Sequence, residues 1–309
     1  MKDVYFVNSL INDLKRLYPT IFLKDTEFNQ RLSEFKDGSF SYFCVDLQGM
    51  NIKNAKCYLR GKNYNSSSFY DKPAKSEHEW CEYSFSIVNS AIKSNPEERK
   101  IAYRLKPMPL DEGRQFVYDI FKKYNAESHF TKYDDIAEII IHETKTKRYP
   151  IGGVGFTFDA EKNKSLEIKL YYTLMHFAEG TSEFCDNDGA VREKAFAKVS
   201  EYLQSKQIID HKAIQIINIM EQHHIPISLL GFNDQIENDS NTAKLYYRKG
   251  TQPIKEHVLQ ETYQSLFGIS FDTKLQAMHE LVVQHGLSLS EICLVQNKRA
   301  STLKICYET

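Results

Sequence analysis

The sequence predicts an α+β fold: a closed antiparallel ten-strand β-barrel with a solvent-filled lumen, ringed by α-helices in repeated αββα units. Three observations predict it. A strand pair recurs along the chain with nearly the same letters, amphipathic helical stretches separate most of the copies, and the repeated strands carry lysine and tyrosine on one face with apolar residues on the other. The clearest copy is Glu167-Ile168-Lys169-Leu170-Tyr171-Tyr172-Thr173, returning from Gly153-Val154-Gly155-Phe156-Thr157-Phe158-Asp159. Alternate side chains of a strand face opposite ways. Glu167, Lys169, Tyr171 and Thr173 therefore share one face, and Ile168, Leu170 and Tyr172 the other.

The other copies follow the same plan. Ala243-Lys244-Leu245-Tyr246-Tyr247-Arg248 returns from Leu229-Leu230-Gly231-Phe232-Asn233, and Ala55-Lys56-Cys57-Tyr58-Leu59-Arg60 from Phe43-Cys44-Val45-Asp46-Leu47. Leu303-Lys304-Ile305-Cys306-Tyr307 returns from Ile292-Cys293-Leu294-Val295-Gln296. A looser copy, Ile101-Ala102-Tyr103-Arg104-Leu105-Lys106, follows Cys81-Glu82-Tyr83-Ser84-Phe85-Ser86-Ile87. Five hairpins result, near residues 38–62, 80–107, 150–174, 226–249 and 289–309 of one domain spanning 1–309. Such self-similarity is the mark of a repeat architecture.

Helical periodicity fills the intervals. It predicts helices over Val4–Leu17 and Thr26–Phe35 before the first hairpin, and over Glu112–Tyr124 and Tyr133–Lys145 after the second. Helix pairs at Ala190–Ser205 with Asp210–His223, and at Ile254–Leu266 with Asp272–His285, precede the last two hairpins. Asn63 to Ser76 is a loop by composition, and the second hairpin has a long polar turn through Lys93-Ser94-Asn95-Pro96-Glu97-Glu98. Ten strands with no spare edge close into a barrel, and the helices cover its apolar outside.

Forty basic and forty-one acidic residues leave a net charge of −1, so no global field points to nucleic acid or anionic lipid. No apolar run is long enough to span a bilayer, and the opening residues lack a signal peptide, so a cytoplasmic protein without membrane contact is expected. None of the six cysteines forms a Cys-x-x-Cys pair; those in predicted strands (Cys44, Cys57, Cys81, Cys293, Cys306) are expected to be reduced packing residues. Asp134-Asp135-Ile136-Ala137-Glu138 has the spacing of an acidic magnesium-diphosphate motif, but it opens a helix and is better explained as N-terminal helix charge. His223-His224 fits a helix end, and Gly152-Gly153-Val154-Gly155 lacks the following helix of a phosphate loop.

One Lys-x-Tyr is ordinarily a solvated strand face. Near-copies at matched hairpin positions point to a built site. Lys56, Arg104, Lys169, Lys244 and Lys304 occupy equivalent places, and cations converging there would clamp a diphosphate through charge-assisted hydrogen bonds. Tyr58, Tyr171 and Tyr246, two residues further on, would form a collar able to shield a carbocation, each ring contributing about 0.5 to 2 kcal/mol.

The hairpins, interleaved helices and Lys-x-Tyr arms resemble the αββα-barrel aromatic prenyltransferases: the dimethylallyltryptophan synthases, the bacterial aromatic prenyltransferases and the cyanobactin peptide prenyltransferases. The resemblance implies transfer of a dimethylallyl or geranyl group from its diphosphate to an indole or phenol. It also implies that Glu82 is the acceptor-side base and Arg104 a diphosphate ligand. Because the Glu82 hairpin is second here, Asp46 competes for the base, and Cys306 stands where hairpin five would carry a tyrosine. No cofactor is required by a cationic clamp, though Mg²⁺ is compatible with it. Two alternatives remain open: a peptide prenyltransferase acting on side chains, and a non-catalytic carrier of a small anionic or lipid-like ligand.

Overall fold

The period-two pattern leaves each repeated strand with three apolar side chains to bury, each stabilising by about 1.5 to 3 kcal/mol, and helices with matching stripes to bury them against. A computed structural model describes residues 2–19, 39–61, 81–86, 98–105, 108–159, 164–174, 176–177, 184–185, 189–236, 240–248 and 252–309. In chain order the elements are α1 (Lys2–Leu17), β1 (Ser39–Gln48), β2 (Asn51–Gly61), β3 (Cys81–Ser86), β4 (Glu98–Arg104), α2 (Leu110–Lys123), α3 (Phe130–Thr144), β5 (Ile151–Asp159) and β6 (Lys164–Thr173). Then follow the short pair β7 (His176–Phe177) and β8 (Phe184–Cys185), α4 (Gly189–Ser205), α5 (His211–Gln222), β9 (Ile227–Gln235), β10 (Ser240–Arg248), α6 (Glu256–Phe267), α7 (Thr273–Gln284), β11 (Ser288–Asn297) and β12 (Ser301–Glu308). The predicted helix over Thr26–Phe35, the predicted loop over 63–76 and residues 93–97 of the predicted turn lie outside the described residues.

The main sheet is antiparallel, in the order β3-β2-β1-β12-β11-β10-β9-β6-β5-β4. Side chains are described for its eight central strands, and β3 and β4 flank them. Consecutive strands pair within hairpins one, three, four and five. Phe43, Val45, Ile168, Leu170, Leu245, Ile292, Leu303 and Ile305 form one buried core with Leu10 and Leu14 of α1, Phe121 of α2, Ile140 of α3, Val199 of α4, Ile216 of α5, Leu259 of α6 and Met278 of α7. The parity expected for the two faces is the parity observed: Tyr172, Tyr247 and Tyr307 join the core, and Lys169, Lys244, Lys304, Tyr58, Tyr171 and Tyr246 stand on the face turned away from the helices.

The closed ten-strand barrel is not what forms. β3 pairs with β2 and β4 with β5, and among the described residues no ladder joins β3 to β4, so hairpin two is absent and the sheet is open. A register needs a tight turn to fix it. The Lys93-Ser94-Asn95-Pro96-Glu97 stretch has no two-residue hairpin signature, and the strands it connects are the sheet's shortest. Nor is the concave face a solvent-filled lumen: Tyr246 is 8% exposed and Cys293 is fully buried.

Two further expectations are corrected. Cys44 and Cys306 face each other in the β1–β12 register and form a disulfide, with Cα atoms 4.1 Å apart, while Cys57 and Cys293 are free and buried. Asp134 and Glu138 are not first-turn helix charges, because α3 begins four residues before Asp134. Asp134 accepts hydrogen bonds from Arg114 Nε at 3.0 Å and Tyr149 at 2.8 Å, and Glu138 pairs with Arg114. His223 caps the end of α5 and meets Glu261 at 2.8 Å. No helix among the described residues is long and apolar enough to cross a membrane.

Candidate functional site

Tyr58 on β2 and Tyr246 on β10 lie four strands apart in the sheet order, which in a flat sheet would separate them by about 19 Å. Yet the Lys304 Nζ atom, on β12 between them, lies 5.1 Å from the Tyr58 ring centre and 5.9 Å from that of Tyr246. The open sheet therefore curls, and its concave face draws together residues from equivalent positions of different hairpins. Lys304 donates a hydrogen bond to the Tyr58 hydroxyl at 3.2 Å. Tyr42 packs edge-on against Tyr58 with ring centres 5.8 Å apart, and Tyr171 stands 6.4 Å from Tyr246.

Glycine makes part of this possible. A Cβ at Gly231 would lie 3.2 Å from the Tyr171 ring and 3.3 Å from the Lys244 Cβ. Its absence lets the Tyr171 ring lie over the β9 backbone while the Lys244 stem stands beside it.

Glu167 anchors the other side of the cluster. Its carboxylate meets Lys169 Nζ at 2.8 Å and accepts hydrogen bonds from the Thr157 hydroxyl at 3.0 Å and the Asn233 amide at 2.9 Å. Burial works to raise its carboxyl, but the Lys169 charge and the hydrogen bonds from Lys169 and Thr157 outweigh it, so Glu167 is held below its ordinary value and stays ionised. Parity places Glu167 on this face; its hydrogen bonds to Thr157 and Asn233 follow only from the cross-strand geometry.

The three lysines differ in their surroundings. For Lys304, burial favours the neutral amine, but Tyr58 and the carboxylates of Glu291 and Asp46 prevail, and its pKa is raised. Lys244 is pushed down to about 8, first by burial and then by the like charges of Lys169 and Lys304. Burial lifts the Tyr171 hydroxyl to about 12, against a smaller pull from Lys304.

Of the sequence-predicted residues, Lys169, Lys244, Lys304, Tyr58, Tyr171 and Tyr246 are thus brought together. Lys56 lies two residues before Tyr58 on β2, opposite Cys44, without a contact to this cluster among the described residues. Arg104 pairs through its backbone with Gly153, and Glu82 with Arg60; both side chains lie outside the described residues. Asp46 stands directly across from Lys304 in the β1–β12 register and accepts a hydrogen bond from Asn54 at 3.2 Å. On the helical side, a cleft of about 630 Å³ between α3 and α4 is lined by Glu138, His142, Glu143, Lys198, Glu201 and Tyr202. Of the residues singled out in the sequence it contains Glu138 of the acidic stretch, and none of the predicted clamp or collar residues.

No protein-family model matches the sequence, and comparison with curated proteins finds no match.

Proposed function

We propose that the chain transfers a prenyl group, dimethylallyl or geranyl, from an allylic diphosphate to an electron-rich aromatic acceptor: an indole or phenol, free or as a peptide side chain. The observation that carries this reading is the convergence of lysines and tyrosines from equivalent positions of hairpins one, three, four and five around Lys304. A surface built only for solubility has no reason to repeat such a pair and then curl the copies together.

In this mechanism the lysines receive the diphosphate. As the allylic C–O bond breaks, its electron pair passes to the diphosphate oxygen, and fixed ammonium groups stabilise the charge developing there. Tyr58, Tyr171 and Tyr246 shield the allylic cation; their suitability is supported by the ammonium already lying over two of the rings. The acceptor then forms the new bond and loses a proton to a carboxylate. Glu82 is the base implied by the resemblance, and Asp46, through its place beside Lys304, is the second candidate.

The test is mass spectrometry of the purified protein with dimethylallyl and geranyl diphosphate against tryptophan, tyrosine, simple indoles and cyclic peptides. A prenylated product is expected, with turnover at least tenfold lower in Lys304→Met and in one of Glu82→Gln or Asp46→Asn. No product with any acceptor, together with no binding of either diphosphate, overturns the proposal.

A further inference from the structure

Three cations share the concave face, but their charges are not equally compensated. Lys169 is paired with Glu167. Lys304 has the Tyr58 hydroxyl and two ring faces. Lys244 alone of the three has no hydrogen bond or ion pair among the described residues. It stands opposite Gly231 of β9 and Val295 of β11, neither of which can offer an acceptor side chain.

We propose that Lys244 is the residue on which an incoming diphosphate docks, and that it takes up a proton as the anion arrives, so that anion binding on this face is proton-coupled. The proposal rests on the prenyl-transfer reading only for its anion-binding half. The groups facing Lys244 support it from every side. From β6 come Lys169 and Glu167, the latter already engaged; from β11 comes Cys293, and from β12 Lys304. Tyr246 lies two residues along its own strand, and Tyr171 shares the gap over Gly231. Burial first, and then the like charges of Lys169 and Lys304, disfavour the ammonium in the free protein and push its pKa down to about 8. A phosphate group bearing two or more negative charges reverses that balance.

No covalent step is involved: the proton comes from solvent and the Lys244 amine becomes an ammonium. Because the coupling belongs to one residue, uptake at pH 8.5 should reach about three-quarters of a proton per anion and almost vanish at pH 6.5, where Lys244 is already protonated.

Titration calorimetry with inorganic diphosphate, in buffers of high and low protonation enthalpy, measures this uptake. Diphosphate's own titration is common to all variants, so the wild type is compared with Lys244→Arg, whose charge is permanent. The expected result is diphosphate binding in both, with the pH 8.5 uptake missing from Lys244→Arg. In parallel, carbon-13 NMR of lysine Cε in the wild type should show one lysine titrating near pH 8 and moving upward with diphosphate; this decides the matter if the arginine variant does not fold. Binding with no difference between variants and no shifted lysine overturns the inference while leaving prenyl transfer standing. Failure of the wild type to bind inorganic diphosphate at all also overturns the inference, and prenyl transfer is then decided separately by the product assay with the allylic diphosphates.

Discussion

Lys244 is held in a protonation balance that costs stability. A lysine whose folded pKa falls to about 8 from its ordinary 10.5 makes the unfolded chain the stronger proton binder between those values, so stability rises with pH across that window. Below pH 8 the cost is present in full. Lys244→Met should therefore raise stability at pH 7 by about 3 kcal/mol, and the advantage should shrink from pH 8 upward and be gone near pH 10.5. Urea unfolding midpoints of both proteins at intervals from pH 7 to pH 10.5 check the size and the convergence. Which residues share this face was legible in the strand alternation at Lys169, Lys244 and Lys304. Their unequal surroundings were not, because Glu167 is bound by Thr157 and Asn233 from two other strands, and no local pattern announces cross-strand partners.

Among the elements, the helices are delimited by the signals that sequence offers best. Asp210 accepts from the backbone N–H groups of Lys212 at 2.9 Å and Ala213 at 3.2 Å at the start of α5, and Asp272 from Leu275 at 2.7 Å at the start of α7. α6 ends on Gly268 in the left-handed conformation, with φ of 70°, where a side chain would be strained. Asp210→Ala should lower stability by about 1 kcal/mol, seen as a lower thermal midpoint. Asp210→Asn should retain most of that stability, since the amide oxygen still caps. Both acids stood immediately before apolar periodicity and were readable as starts. The start of α3 was not, because Phe130 follows a short 3-10 turn at Glu127–His129 rather than a capping residue. That shift of three residues carried Asp134 and Glu138 out of the first turn and into contact with Arg114.

At the scale of the molecule, strand alternation specifies faces but not closure, which depends on whether β3 and β4 find a common register. The repeats alone could not decide that. The Cys44–Cys306 disulfide was equally hidden, since its partners are 262 residues apart and become neighbours only through the β1–β12 pairing. Closing so long a loop restricts the unfolded chain, so Cys44→Ala combined with Cys306→Ala should lose roughly 2 to 5 kcal/mol. A shift of the urea midpoint by reductant in the wild type, absent in the double variant, is the measurement that checks it.

The place of β12 also governs how the chain can be made. Strand β12, Ser301–Glu308, lies within the sheet between β1 and β11, so while the ribosome is still adding it those two strands, already made, each present an unpaired edge. The strands on either side of β12 therefore emerge before they can be joined, and the two parts of the sheet must wait for this eight-residue strand without pairing wrongly with a neighbouring nascent chain.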